Sequence, residues 1–137
     1  MTPIRPLIEN TLHRAAWGYD ENDVGLIAAQ FTENASMTMQ IGRDGDLIGP
    51  FEGREAIRKL HADSLASQTD QRRHNFSNLI IDKETDGSAS TVANLTLLSI
   101  ENGAVKVLSS GWYRDEMVRQ GEDWLIRSRH IYLDLPY

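Results

Sequence analysis

From His74 to Leu133 the chain is punctuated by three turn dipeptides, Asp86-Gly87, Asn102-Gly103 and Gln120-Gly121. Asn-Gly and Asp-Gly are strong hairpin signals, because the tight turns that match strand twist need residues that tolerate positive φ. The segments between them are extended and partly alternating: His74 to Lys83, Ser90 to Ile100, Ala104 to Arg119 and Trp124 to Leu133. Strands joined by short turns must pair antiparallel. The C-terminal half is therefore expected to be a four-stranded meander, and the N-terminal half must supply what covers one of its faces.

That half reads mainly as helix. Pro3 and Pro6 suit a helix start, where a missing N–H costs little. Ile4, Leu7, Ile8, Leu12, Ala15, Ala16 and Tyr19 then recur at helical spacing. Gly18 weakens this helix or lets something pack closely against it. Asp23 is placed to cap a second short helix carrying Val24, Leu26, Ile27, Ala28 and Phe31, ended by Thr32-Glu33-Asn34. Ala35 to Ile41 alternates like a half-buried strand, Gly42 to Gly45 turns, and Leu47 to Glu52 returns. Gly53-Arg54-Glu55 opens a third helix with Ala56, Ile57, Leu60, His61, Ser64 and Leu65 inward. The layout predicts one α+β domain over residues 1–137, with helices packed on one face of a curved sheet.

Composition removes several functions. The formal net charge is -6, and the basic pairs Arg72-Arg73 and Arg127 with Arg129 are too small to reverse it, so nucleic acid is not the expected partner. Without cysteine there is no disulfide, thiolate nucleophile or Cys-based zinc site. No repeated His/Asp spacing suggests a metal, and no cofactor motif is present. No apolar run approaches the ~20 residues that span a bilayer. Met1 to Pro6 lacks the apolar stretch of a signal peptide, so the cytoplasm is the expected compartment.

The residues that suggest chemistry are Asp20, which ends the first helix, and His74, which opens the first meander strand. A carboxylate that orients an imidazole makes a general base without help from a metal. Arg129 and His130 lie on the last strand. Alternation puts Arg127, Arg129, Ile131 and Leu133 on one face and Ile126, Ser128, His130 and Tyr132 on the other, without saying which face is inside.

The chain resembles the nuclear transport factor 2-like superfamily, also called SnoaL-like or cystatin-like. The resemblance runs over nearly the whole length and is clearest at Tyr19 to Phe31, at Phe51-Glu52-Gly53-Arg54-Glu55-Ala56-Ile57, and from Gly111 to Asp134. It is most similar to the branch containing scytalone dehydratase, bile acid 7α-dehydratase and hexachlorocyclohexane dehydrochlorinase. The resemblance implies a cone, in which a strongly bent, mainly antiparallel sheet wraps around N-terminal helices and leaves a pocket at the open end. It assigns Asp20 and His74 to a catalytic dyad, and it selects Arg129 over His130 for the pocket, a choice that a one-residue strand shift would exchange. Tyr19 corresponds to the tyrosine beside the aspartate of scytalone dehydratase. Met39 falls where that enzyme has a second tyrosine, and Asn94 is the nearest polar residue to its second histidine. Ala15 replaces the lysine or tyrosine that relatives place five residues before the aspartate. Trp112 is expected as pocket wall or on the outer sheet face.

The resemblance thus implies a cofactor-independent lyase or isomerase acting on a small apolar carbonyl compound, polyketide, steroid or aromatic ring. It equally admits a binding or assembly subunit, like the small subunit of ring-hydroxylating dioxygenases, or a small-ligand carrier. Relatives associate through the sheet face, so a homo-oligomer, dimer or trimer, is expected, with Val105, Val107, Trp112 and Val118 as candidate contacts.

Overall fold

The meander strands in the computed structural model, which describes residues 3–137, are β3 (Gln71–Glu84), β4 (Ser88–Glu101), β5 (Ala104–Gln120) and β6 (Asp123–Leu133). Met1 and Thr2, part of the expected domain, lie outside the described residues. All three predicted turns close hairpins between these strands. At the second, Asn102 and Gly103 have φ of 53° and 77°, as a type I′ turn requires. Before the meander come α1 (Ile4–Asp20), α2 (Val24–Ala29), β1 (Phe31–Ile41), β2 (Ile48–Glu52) and α3 (Arg54–Ala66).

The six strands form one sheet in the order β2-β1-β6-β5-β4-β3. Only β1 and β6 run parallel. The expected α+β architecture, a curled, mainly antiparallel sheet around N-terminal helices, is what is found. Its curvature has a visible source. The register slips between Ser77 and Ile80 and between Ile81 and Lys83 in the β3–β4 ladder, and between Glu116 and Met117 in the β5–β6 ladder. Each slip sets an extra residue on one strand against its partner, which bends the strand and increases its twist.

Two boundaries differ from the expected ones. Phe31 begins β1 and does not end α2. The amide of Ile126 donates to Gln30 O at 2.8 Å and starts the parallel ladder there, so β6 captures a segment whose local pattern favoured helix. Likewise β3 begins at Gln71, so His74 is its fourth residue and not its first.

The concave face of the sheet is apolar where the helices cover it. Ile8, Leu12 and Ala15 of α1 meet a core built on Phe31, Trp124 and Ile126, all nearly or fully enclosed. Burying each large side chain contributes about 1.5–3 kcal/mol. Thr11 ties the helix down, its hydroxyl donating to Trp124 O. Pro6 fits in the first turn because the first four amides of a helix have no internal acceptor. Asp23 caps α2 as expected, accepting from Leu26 N at 3.0 Å.

Gly18 is where α2 folds back on α1. A Cβ there would stand 2.9 Å from Ile27 Cγ1 and 3.0 Å from Asp23 O. This close approach fixes the helix end that carries Tyr19 and Asp20. Gly18→Ala is expected to lower stability by up to about 2 kcal/mol in urea unfolding. The gain in helix propensity, at most about 1 kcal/mol, is outweighed by overpacking, about 1–3 kcal/mol.

Candidate active site

Asp20 is the last residue of α1 and His74 lies across from it on β3. The aspartate holds the histidine twice. Its Oδ2 accepts from the His74 backbone amide at 3.0 Å, and its Oδ1 lies 2.6 Å from His74 Nδ1. An ionised carboxylate only accepts, so Nδ1 carries a proton, and in the neutral imidazole Nε2 is the nitrogen with the free lone pair. Both side chains are enclosed, with 9% and 7% exposure for His74 and Asp20. Neighbouring bonds fasten the same junction: Gln71 Nε2 donates to the Asp20 backbone carbonyl at 2.6 Å, and Arg73 Nη1 to Glu21 Oε2 at 2.6 Å.

The imidazole faces a cavity between the concave sheet and α3, of about 510 Å³ counting its open mouth. Met37, Met39, Leu95, Leu97 and Ile131 supply apolar wall, and Tyr19, His61, Arg72, His74 and Tyr113 the polar groups. Tyr19 stands edge-on to His74, with ring centroids 4.7 Å apart. Its hydroxyl accepts from Gln68 Nε2. Burial raises the Tyr19 pKa and outweighs the lowering effect of Gln68, so the phenol stays protonated and can donate to a ligand oxygen.

Tyr19, Asp20, Met39 and His74 therefore lie together at one end of the cavity. Arg129 also points inward, beside Tyr19, His61, His74 and Tyr113. Its role, however, differs from the expected one. Its Nε and Nη2 donate to Asp115 Oδ1 and Oδ2 at 2.8 and 3.1 Å, and both side chains are almost wholly enclosed. Burial alone would lower the Arg129 pKa, but the Asp115 charge overrides it and raises it. Tyr113 covers the guanidinium, its ring centroid 4.6 Å from the charged carbon. Arg129 is thus committed to a structural pair.

The strand parity that left Arg129 and His130 open is resolved by the β6 bulge. Met117 pairs with Ile126 and Glu116 with Ser128, so Arg127 is the extra residue. Ile126 and Arg129 both face inward as a result, while Arg127 is exposed. His130 lies on the opposite face with Thr38, whose Oγ1 is 2.7 Å from its Nδ1, and Trp112, 5.6 Å away between ring centroids. Burial lowers the His130 pKa. Asn94 is exposed opposite Trp112 in the β4–β5 ladder. Asn94, Trp112 and His130, expected as substrate contacts, therefore sit on the outer face, because side chains alternate along each strand and the inner positions belong to Leu95, Tyr113 and Arg129.

Two polar groups of the cavity, His61 and Arg72, carry no functional expectation from the sequence, and neither does Gln68, which holds the Tyr19 hydroxyl. Arg72 becomes legible once β3 is extended back to Gln71, since it then lies two residues before His74 on one strand and shares its face. His61 donates from Nδ1 to Ile57 O at 2.8 Å, and burial lowers its pKa from 6.5 to about 4.

Among the described residues no group of His, Cys, Asp and Glu is placed to hold a metal ion, and no helix is long and apolar enough to cross a membrane.

A family model described as a SnoaL-like domain matches residues 4–130, and the chain belongs to that family. No match was found among curated proteins. Several solved structures share the fold. A protein of unknown function with a cystatin-like fold from Nostoc punctiforme superposes with a TM-score of 0.81 at 22% identity, over 99% of this chain and 97% of the other. A proposed scytalone dehydratase from Novosphingobium aromaticivorans gives 0.76 at 18% identity, over 95% and 83%. A proposed aromatic-ring-hydroxylating dioxygenase beta subunit from the same organism gives 0.83 at 13% identity, over 97% and 90%.

Two outcomes are expected from this geometry. Arg129→Met alone leaves Asp115 charged and unpaired in the core and should cost about 3–5 kcal/mol in denaturant unfolding, whereas Arg129→Met with Asp115→Leu should cost much less. For His61 the folded state binds its proton less readily than the unfolded chain. Below about 6.5 the unfolded state takes up more protons, so the stability His61 confers as a neutral group is complete above 6.5 and is lost as pH falls towards about 4. The fall in melting temperature between pH 7 and pH 5 should be smaller in His61→Gln.

Proposed function

We propose that the chain is a cofactor-independent lyase or isomerase in which His74 is the general base. The observation that carries this reading is the double hold of Asp20 on His74, which turns Nδ1 to the carboxylate while His74 lines a mostly apolar cavity. A flat, largely apolar carbonyl compound enters between the methionines and leucines. Nε2 takes a proton from the carbon next to the carbonyl, and the electron pair moves into an enolate. Tyr19 donates a hydrogen bond to the enolate oxygen. Asp20 stabilises the imidazolium as it forms, the part a carboxylate plays in other His-carboxylate pairs. If a hydroxyl lies β to the carbonyl, it leaves and takes the proton back from the imidazolium as water. If the substrate instead carries a β,γ double bond, the imidazolium returns the proton at the γ carbon of the dienolate and the double bond moves into conjugation with the carbonyl.

The first step is measurable without the natural substrate. Incorporation of solvent deuterium into 1-tetralone, followed by NMR, should be accelerated by the wild-type chain. His74→Ala should lose about a hundred- to ten-thousand-fold of that acceleration while keeping its circular dichroism. Asp20→Asn should slow exchange through the loss of orientation. An exchange rate unchanged in His74→Ala would sink the proposal.

A second reading, a non-catalytic assembly subunit, has its own support. Val105 and Val107 are each 65% exposed on β5, near the outer-face Trp112, and one structural neighbour is described as a dioxygenase beta subunit. Copurification with a large oxygenase subunit, lost on Val107→Asp, would favour it.

A further inference from the structure

Arg72 is the other polar side chain that β3 sends into the cavity, two residues before His74. On a strand that spacing places both side chains on one face, about 7 Å apart at their bases. Its Nε donates to Asp70 Oδ2 at 2.6 Å, and Asp70 also accepts from the Ser99 hydroxyl. Burial would raise the Asp70 pKa, but Ser99 and Arg72 together bring it down, so the pair is ionised. Only 11% of the Arg72 side chain is exposed. Its Nη1 is fully enclosed and has no protein acceptor. Tyr137 lies over the guanidinium, 5.8 Å from ring centroid to charged carbon, and also lines the cavity.

A buried cationic donor without an acceptor is costly, and native structures rarely leave one without a purpose. The contrast with Arg129 is informative. Arg129 gives Nε and Nη2 to one carboxylate in a bidentate pair, whereas Arg72 gives only Nε to Asp70, and its enclosed Nη1 has no protein acceptor. Asp70 already cancels the charge of Arg72. The site therefore suits an oxygen that is neutral on arrival and gains charge during reaction, and it disfavours a ligand that arrives as a full carboxylate.

We infer that Arg72, and not Arg129, binds the substrate oxygen next to the carbon that His74 deprotonates, and that the substrate is an uncharged carbonyl or phenol-type compound able to become an enolate. Tyr137 is the side chain that yields as the oxygen reaches Nη1. The gain is greatest for the enolate, because a hydrogen bond to a charged acceptor is about twice as strong as one to a neutral acceptor. The inference rests on the proposed reading for the position of the reacting carbon.

The test reads binding, not turnover, on the full chain. The probes are 2-naphthol, whose ionised form mimics an enolate and has its own fluorescence, 2-methylnaphthalene, which lacks the oxygen, and 2-naphthoate, which carries a carboxylate. The wild-type chain should bind 2-naphthol best of the three and raise its ionised fraction at pH 8. Arg72→Lys keeps a charge for Asp70 and should weaken 2-naphthol about tenfold. Arg72→Met with Asp70→Asn removes both charges, which protects the fold, and should lose about ten- to a hundredfold together with the ionised signal. Binding of 2-methylnaphthalene should be the same in every variant. Equal binding of 2-naphthol by wild type and both variants, or no preference for it over 2-methylnaphthalene, would overturn the role of Arg72 and leave Nη1 to water. Tighter binding of 2-naphthoate would overturn the substrate class. Deuterium exchange that fails in the wild type while this discrimination persists would remove the base and leave Arg72 as the recognition element of a ligand carrier.

Discussion

One carboxylate holds the working end of the molecule together. Asp20 stands at the end of α1 and accepts from both the amide and the ring of His74, so a single side chain fixes the strand to the helix and the imidazole to the cavity. The backbone bond sets where β3 starts against α1, and the ring bond sets which nitrogen meets the carboxylate. Because the two bonds share one anion, the tautomer and the strand position are determined together. Replacing the aspartate by asparagine would keep the size but offer one acceptor oxygen where two are used. Everything that approaches His74 depends on that junction: Tyr19 one residue earlier on the same helix, and Arg72 two residues earlier on the same strand.

The cavity divides its charged groups by how completely they are paired. Arg129 and Asp115 form a closed unit beneath Tyr113, with two parallel hydrogen bonds between them. Such a pair is weak evidence for stability, because both ions are stripped of water, but losing one member is severe. His61 is held neutral by burial at the other side of Tyr19. Against these settled groups, His74 and Tyr19 both line the cavity, the imidazole held by Asp20 and the phenol by Gln68. The chemistry of the site is thus carried by few atoms in a mostly apolar chamber, the arrangement in which electrostatic interactions are least screened.

Much of this was legible in the sequence, and the limits have physical reasons. The turn dipeptides and apolar periodicity were enough for the meander and the helices, since both depend on local backbone preference. Gly18 announced the close approach that the helix hairpin indeed makes. Asp20 and His74 came from the likeness to dyad enzymes, supported by their positions at element ends. Asn94 and Trp112 fall on the outer face by simple alternation with Leu95 and Tyr113, whereas the facing of His130 is set by the bulge at Arg127, which no local pattern reveals. Arg129 was placed on the correct face without its partner, because Asp115 lies fourteen residues away on another strand. Phe31 was drawn into β1 by β6, a tertiary pairing that a helical window cannot register. Arg72 is found by counting back two from His74 once β3 is extended to Gln71.

The bulges have a consequence for how such a site diverges. Arg127 occupies one position more than its partner strand supplies, and similar slips occur near Asn78 and Asp82. Each can be gained or lost as a single residue while the side chains around it keep their facing. What changes is the bend of the sheet, and with it the width of the chamber. A sheet of this kind can therefore change the width of its chamber by one residue gained or lost at such a slip, away from the side chains that line it.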